Sequence, residues 1–268
     1  MFQKVLASLG SGGAKVDARL LDRNVRPGAV LRGEIDLTGG QVDQEVTSLG
    51  VTLLARVDET DERGRTSSTD IPITSVQVAS KELVRAGAQV RVPFQVQLPL
   101  QTPLTSVLGR YLSGMAVGLQ TNLNLAGTVV DPQDVDAVLI EPLPAQHRLL
   151  DAMSRLGFQF GAARLDGDRL DGVEQQLPFH QVISFTPPQR LSQVFREVAL
   201  VFLARPRDLQ VVLDVTKVVR VTRGAALNGR TQSFLGSFVV EQNTGAVDWE
   251  RQIDGWLRQV AAPRGIFD

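Results

Sequence analysis

The residues with types and spacing suited to chemistry are few: a glycine-rich segment, an Asp-Gly run, two histidines and several clustered charges. Gly10-Ser11-Gly12-Gly13-Ala14-Lys15 carries the glycines and lysine of a phosphate loop. A phosphate loop also needs Ser or Thr after the lysine to hold magnesium, and a helix whose N-terminus faces the phosphates. Here Val16 follows Lys15 and the next residues have strand character, so the segment reads as a connector. Asp166-Gly167-Asp168-Arg169-Leu170-Asp171-Gly172 resembles a calcium loop until the ligands are counted. From Asp166, Leu170 occupies an oxygen-ligand position, Asp171 the glycine position and Leu177 the bidentate-Glu position. The run therefore reads as a polar hairpin loop.

Hydrolysis by an activated serine needs a histidine beside it, and the chain has His147 and His180 alone. His147 falls in a short helical pattern and His180 follows Phe179 into a strand pattern, and both read as structural or surface residues. No Gly-x-Ser-x-Gly occurs, although a triad assembled from distant positions is invisible to spacing. Asp58, Glu59, Asp61 and Glu62 form a charged turn rather than two carboxylates facing across a cleft. There are no cysteines, which removes thiolate ligands, disulfides and a Cys nucleophile. No cofactor or metal is expected. The 28 Lys plus Arg against 29 Asp plus Glu leave a net charge of -1, so no bulk field favours nucleic acid. Arg205, Arg207, Lys217, Arg220, Arg223 and Arg230 form a loose basic strip, diluted by Asp208 and Asp214 into a mixed surface.

The elements that must position these residues are mostly strands. Leu31, Gly33, Ile35 and Leu37 alternate with Arg32, Glu34, Asp36 and Thr38. Leu49 to Val57 and Val90 to Leu98 alternate in the same way, the period of half-buried antiparallel strands. Arg26-Pro27-Gly28 and Gly39-Gly40 punctuate them as turns, and Pro93, lacking an amide donor, calls for an edge strand or an irregularity. Gln181 to Phe185, Val194 to Ala204 and Leu209 to Val221 are strands of the second half, the middle one apolar on both faces and hence central. Gln146 to Leu156 has helical spacing. So do Trp249, Ile253, Trp256, Leu257 and Val260, with Thr244 as the expected cap. The longest apolar run, Val198 to Ala204, is far too short to span a bilayer, so no integral membrane association is expected and the cytoplasm is the expected location.

Several stretches, taken in order, resemble one family. They are Met1-Phe2-Gln3-Lys4-Val5-Leu6-Ala7-Ser8-Leu9-Gly10 with Ala14-Lys15-Val16-Asp17, the turn Arg26-Pro27-Gly28 with Gly33, and the run from Val92-Pro93-Phe94 through Leu98-Pro99 to Thr105. Leu119 to Ala126 followed by Asp131-Pro132-Gln133-Asp134-Val135-Asp136 continues the match, as do Leu156-Gly157-Phe158 and Leu177-Pro178-Phe179-His180-Gln181 through Pro187. Together they resemble the bacterial sporulation-control proteins, which are arrestin-like. One departure stands out: Gln181 to Phe185 is neutral where the family pattern is expected to carry acidic residues.

The resemblance implies an all-β chain of two tandem β-sandwiches, regulating through protein contacts without catalysis. The strand pattern independently supports two sandwiches: residues 1–130, residues 131–243 with a short helix, and residues 244–268 as an amphipathic helix and tail. Asp131, Asp134 and Asp136 are candidates for charge contacts between domains, with a solvated acidic linker as the other reading. The apolar stripe of the last helix is expected to dock on its own sandwich, or else to serve a homodimer or a protein partner. The competing class is a ligand-binding or hydrolytic β-sandwich whose site, assembled from distant loops, would place a histidine in a deep pocket.

Overall fold

The computed structural model describes residues 13–22, 24–60, 66–127, 133–167, 169–218, 231–241 and 247–261. They form two compact units, Met1–Ser106 with Met115–Glu141, and Val107–Gly114 with Pro142–Asp268.

In the first unit, β1 (Lys15–Leu20), β2 (Asn24–Val25) and β3 (Val30–Thr38) are followed by the long hairpin of β4 (Gln44–Thr60) and β5 (Thr66–Ala79). Next come β6 (Glu82–Val84) and β7 (Gln89–Gln97); β8 (Ser106–Val107) then pairs with β9 (Arg110–Tyr111) in a hairpin whose residues Val107–Gly114 belong to the second unit. Then follow β10 (Val117–Leu125), β11 (Gln133–Ala137) and β12 (Leu139–Ile140). One sheet has the order β1-β3-β7; the other runs β11-β10-β4-β5, with β6 also on β4. Leu31, Ile35 and Leu37 of β3 are buried, as are Leu49, Val51, Leu53, Ala55 and Val57 of β4, so both alternating runs turn their apolar sets inward.

Pro93 sits on β7, an edge strand, where a missing amide donor breaks no ladder. Gly33 is needed for contact: a Cβ there would lie 2.2 Å from the Phe94 ring. At Arg26-Pro27-Gly28 the Ala29 amide donates to the Arg26 carbonyl at 3.0 Å, and Gly28 takes φ +78°, a conformation glycine adopts without strain. On the outward face, Asp36 accepts hydrogen bonds from both Arg19 and Arg91, which holds its carboxyl below the usual aspartate range.

The units divide at Glu141/Pro142 rather than after residue 130. The reason is pairing. β11 hydrogen-bonds along β10, Asp134 opposite Thr121, and β12 runs parallel to β2, Ile140 opposite Val25. Thr105 fastens this return: its hydroxyl donates to the Val138 carbonyl and accepts from the Ile140 amide at 2.8 Å.

The second unit opens with α1 (Pro144–Arg155), followed by β13 (Gln159–Asp166), β14 (His180–Thr186), β15 (Phe195–Ala204), β16 (Asp208–Val218), β17 (Thr231–Glu241) and α2 (Trp249–Ala261). The five strands form one antiparallel sheet in sequence order, with β15 in the middle, as its two apolar faces demand. Register places Ile183, Leu200 and Leu213 on one face and Val182, Val201 and Val212 on the other. The second face forms a cluster with Ala199 and Leu203, against which Leu170 and Val173 of the β13–β14 connection pack. The first face carries Phe185 and Phe238 and meets the helices. Among the described residues, the second unit holds this five-stranded sheet, the β8–β9 hairpin and the two helices. The neutral run Gln181 to Phe185 now has a physical reason, since Val182, Ile183, Ser184 and Phe185 are all buried and a charge at any of them would be costly.

Pro144 begins α1 and the Gln146 side chain accepts from the Leu143 amide at 2.8 Å, satisfying a donor the helix start leaves open. At its end Gly157 takes φ +88°, and the Phe158 amide donates back to the Met153 carbonyl at 3.0 Å. This left-handed stop turns Phe158 into the interior.

Candidate functional site

Of the acidic residues expected at the domain junction, Asp134 and Asp136 lie on β11. β11 hydrogen-bonds to β10, and its register puts Asp134 and Asp136 opposite Thr121 and Leu119, whose side chains are fully buried inside the first unit. Both carboxylates therefore point inward. Asp134 is 1% exposed, and its Oδ2 accepts from the Ala18 amide at 3.1 Å. Ala18 lies on β1, an edge strand, so the carboxylate gives its amide a partner the sheet does not supply. Asp136 is half-buried on the same face, and Asp131 lies outside the described residues. Asp134 is thus an internal clasp of the first unit.

The stripe of α2 is buried within the second unit. Trp249, Ile253, Trp256 and Leu257 are buried and Val260 is half-buried. Trp256 stacks on Phe238 of β17 with ring centroids 4.0 Å apart and planes 14° from parallel. Arg155 of α1 pairs with Glu250 at 3.2 Å, and Arg190 pairs with Asp254 at 3.5 Å, so charges at its margin hold the helix in register. Thr244 lies outside the described residues; the cap seen is Asp248, whose Oδ1 accepts from the Arg251 amide at 3.0 Å.

The remaining chemical candidates are dispersed. Lys15 opens a strand, so no helix N-terminus follows it. His147 is exposed on α1 and His180 is buried at the start of β14. A cavity of about 620 Å³ beside α1 is lined by neither histidine. Asp166 ends β13, so the Asp-Gly run begins the connection to β14; Asp168 is outside the described residues. Arg205 pairs with Asp208 at 2.6 Å, while Arg220, Arg223 and Arg230 lie outside the described residues. Among the described residues no cluster of three or more His, Cys, Asp or Glu is placed to hold a metal ion. No helix among them is long and apolar enough to cross a membrane.

Sequence reasoning passed over the polar row on the face of the second sheet away from the helices. Ser184 and Glu197 share a hydrogen bond at 3.2 Å, and Arg164 donates to Asp166 at 3.0 Å. Near them Asp214 has a buried Oδ1 with no hydrogen bond among the described residues. Burial pushes its carboxyl above the usual aspartate range; Arg164 opposes that, and the charges of Glu197 and Asp166 add to it. A carboxyl with a raised native pKa weakens the fold once ionised. Its penalty is absent below the ordinary aspartate pKa and complete above the native one. Asp214→Asn should therefore raise the melting temperature at neutral pH, with the gain shrinking to nothing as the pH falls toward 3.8. Melting curves of both proteins from pH 3 to 8 check this; a gain that grows in acid would reverse the assignment.

The architecture defines the class: an all-β, arrestin-like protein of two units, with charge and apolar stripes turned to internal packing. The chain belongs to the SpoOM protein family, which its residues 2–219 match. It is 30% identical over 226 residues to the sporulation-control protein spo0M of Bacillus subtilis (strain 168), covering 83% of each chain. Its fold is similar to the crystal structure of Spo0M from Bacillus subtilis, with a TM-score of 0.73 and 22% identity over 93% of this chain and 98% of that one.

Proposed function

We propose that this chain is a non-enzymatic regulatory scaffold that acts in the cytoplasm through contacts with other proteins and needs no cofactor. The observation that carries this reading is the likeness to a sporulation-control protein over 83% of both chains. The placement of the histidines supports it, since neither lines the cavity beside α1.

Crosslinking in growing cells of the source organism, followed by quantitative mass spectrometry, tests the reading. A small, reproducible set of proteins should be enriched over an unrelated β-sandwich expressed at the same level, self-crosslinks of the chain included if it pairs with itself. A profile indistinguishable from that control would remove the proposal.

A further inference from the structure

The cavity beside α1 lies wholly within the second unit and has features that packing alone does not require. Leu112, Leu150, Phe158 and Phe185 are buried and form its floor. Leu108, Tyr111 and Phe160 stand at its mouth 43%, 81% and 41% exposed, and the Phe160 ring meets Phe185 edge-on at 6.3 Å. Exposing three large apolar or aromatic side chains around one opening is unfavourable unless something covers them.

The rim is also strained. Leu108 and Gly109 turn the β8–β9 hairpin with φ +50° and +74°, the left-handed pair of a tight hairpin turn. Asn or Gly takes the first of these positions readily, whereas leucine resists it and here presents an apolar side chain to solvent. Backbone strain at a ligand-facing position is a recurrent signature of binding sites.

Charge selects the occupant. Arg110 is the single charged side chain lining the cavity, and it has no ion pair among the described residues. No carboxylate lines the opening, so the one formal charge on its wall is positive. At about 620 Å³ the cavity falls in the size range of small-molecule sites. We propose that it binds a small amphiphilic monoanion, its apolar body lying on Leu150, Phe158 and Phe185 and its anionic head at Arg110. Medium-chain carboxylates are the ligand class with this chemistry. The site does not depend on the scaffold reading, since a ligand cavity serves a regulator and a transport module alike.

Calorimetric titration of the full chain with decanoate tests the proposal. One decanoate should bind per chain, saturably. Arg110→Gln should weaken binding about tenfold, the scale of one charge-assisted contact, and decanol should bind the unaltered chain about tenfold more weakly than decanoate. Ser154→Trp places an indole in the cavity from an exposed helix position and should abolish binding. Leu108→Asn relieves the turn, so it should fold at least as well while binding more weakly. Arg196→Gln, the same charge change on β15 at an exposed position away from the cavity, should bind as the unaltered chain does. Absence of saturable binding, unchanged affinity in Ser154→Trp, or equal affinity for decanol would each overturn the proposal.

Discussion

Trp256→Ala should destabilise the second unit by about 3–5 kcal/mol, the usual range for removing a buried tryptophan. Trp256 is 6% exposed and lies flat on Phe238. Its removal strips one side of that stack and opens a void between α2 and the sheet. For a unit of this size such a loss lowers the melting transition by roughly 10–20 °C. Trp256→Phe should lose much less, because a ring still faces Phe238. Differential scanning calorimetry of the three proteins checks the order. An unchanged transition combined with altered association in gel filtration would mean that α2 serves a partner and is not part of the second unit's core.

The second large effect is expected at Asp134. Asp134→Ala leaves the Ala18 amide buried without an acceptor, which costs about 1–3 kcal/mol and more when the lost acceptor was charged. Asp134→Asn keeps one acceptor oxygen and should lose less. Faster hydrogen exchange at the Ala18 amide in Asp134→Ala, with an unchanged small-angle scattering profile, is the expected pair of results. A changed scattering profile at unchanged stability would instead make Asp134 a contact between units, the role its position near Pro132 had suggested.

Asp134 also shows where the sequence stops being legible. Three aspartates around a proline read locally as a linker, and only a partner 116 positions away in the chain reveals a strand with an inward carboxylate. By contrast β3, β4 and β15 were readable, since their burial is written in consecutive residues. β7 was readable only toward its end: Phe94 and Val96 are buried, but Val90 is exposed because an edge strand outruns its cover. β13 and β17 went unseen. In β17, Gly236 and Ser237 break up the alternation that Phe238 and Val240 continue. The stripe of α2 was readable as a face that docks on the second unit, but periodicity alone could not name Phe238 as the ring that Trp256 meets. The cavity residues come from a hairpin, a helix and two strands, none of which is distinctive alone.

The short excursion Val107–Gly114 has a consequence for synthesis. This hairpin leaves the ribosome ahead of β10 and β11, which complete the first unit, yet it belongs with a sheet whose last strand ends at Glu241. At a typical elongation rate it waits on the order of ten seconds for its docking surface. Throughout that interval Leu112, buried in the folded chain, has no second unit to pack against. A fragment beginning at Pro142 would lack the hairpin altogether, and with it one wall of its own cavity.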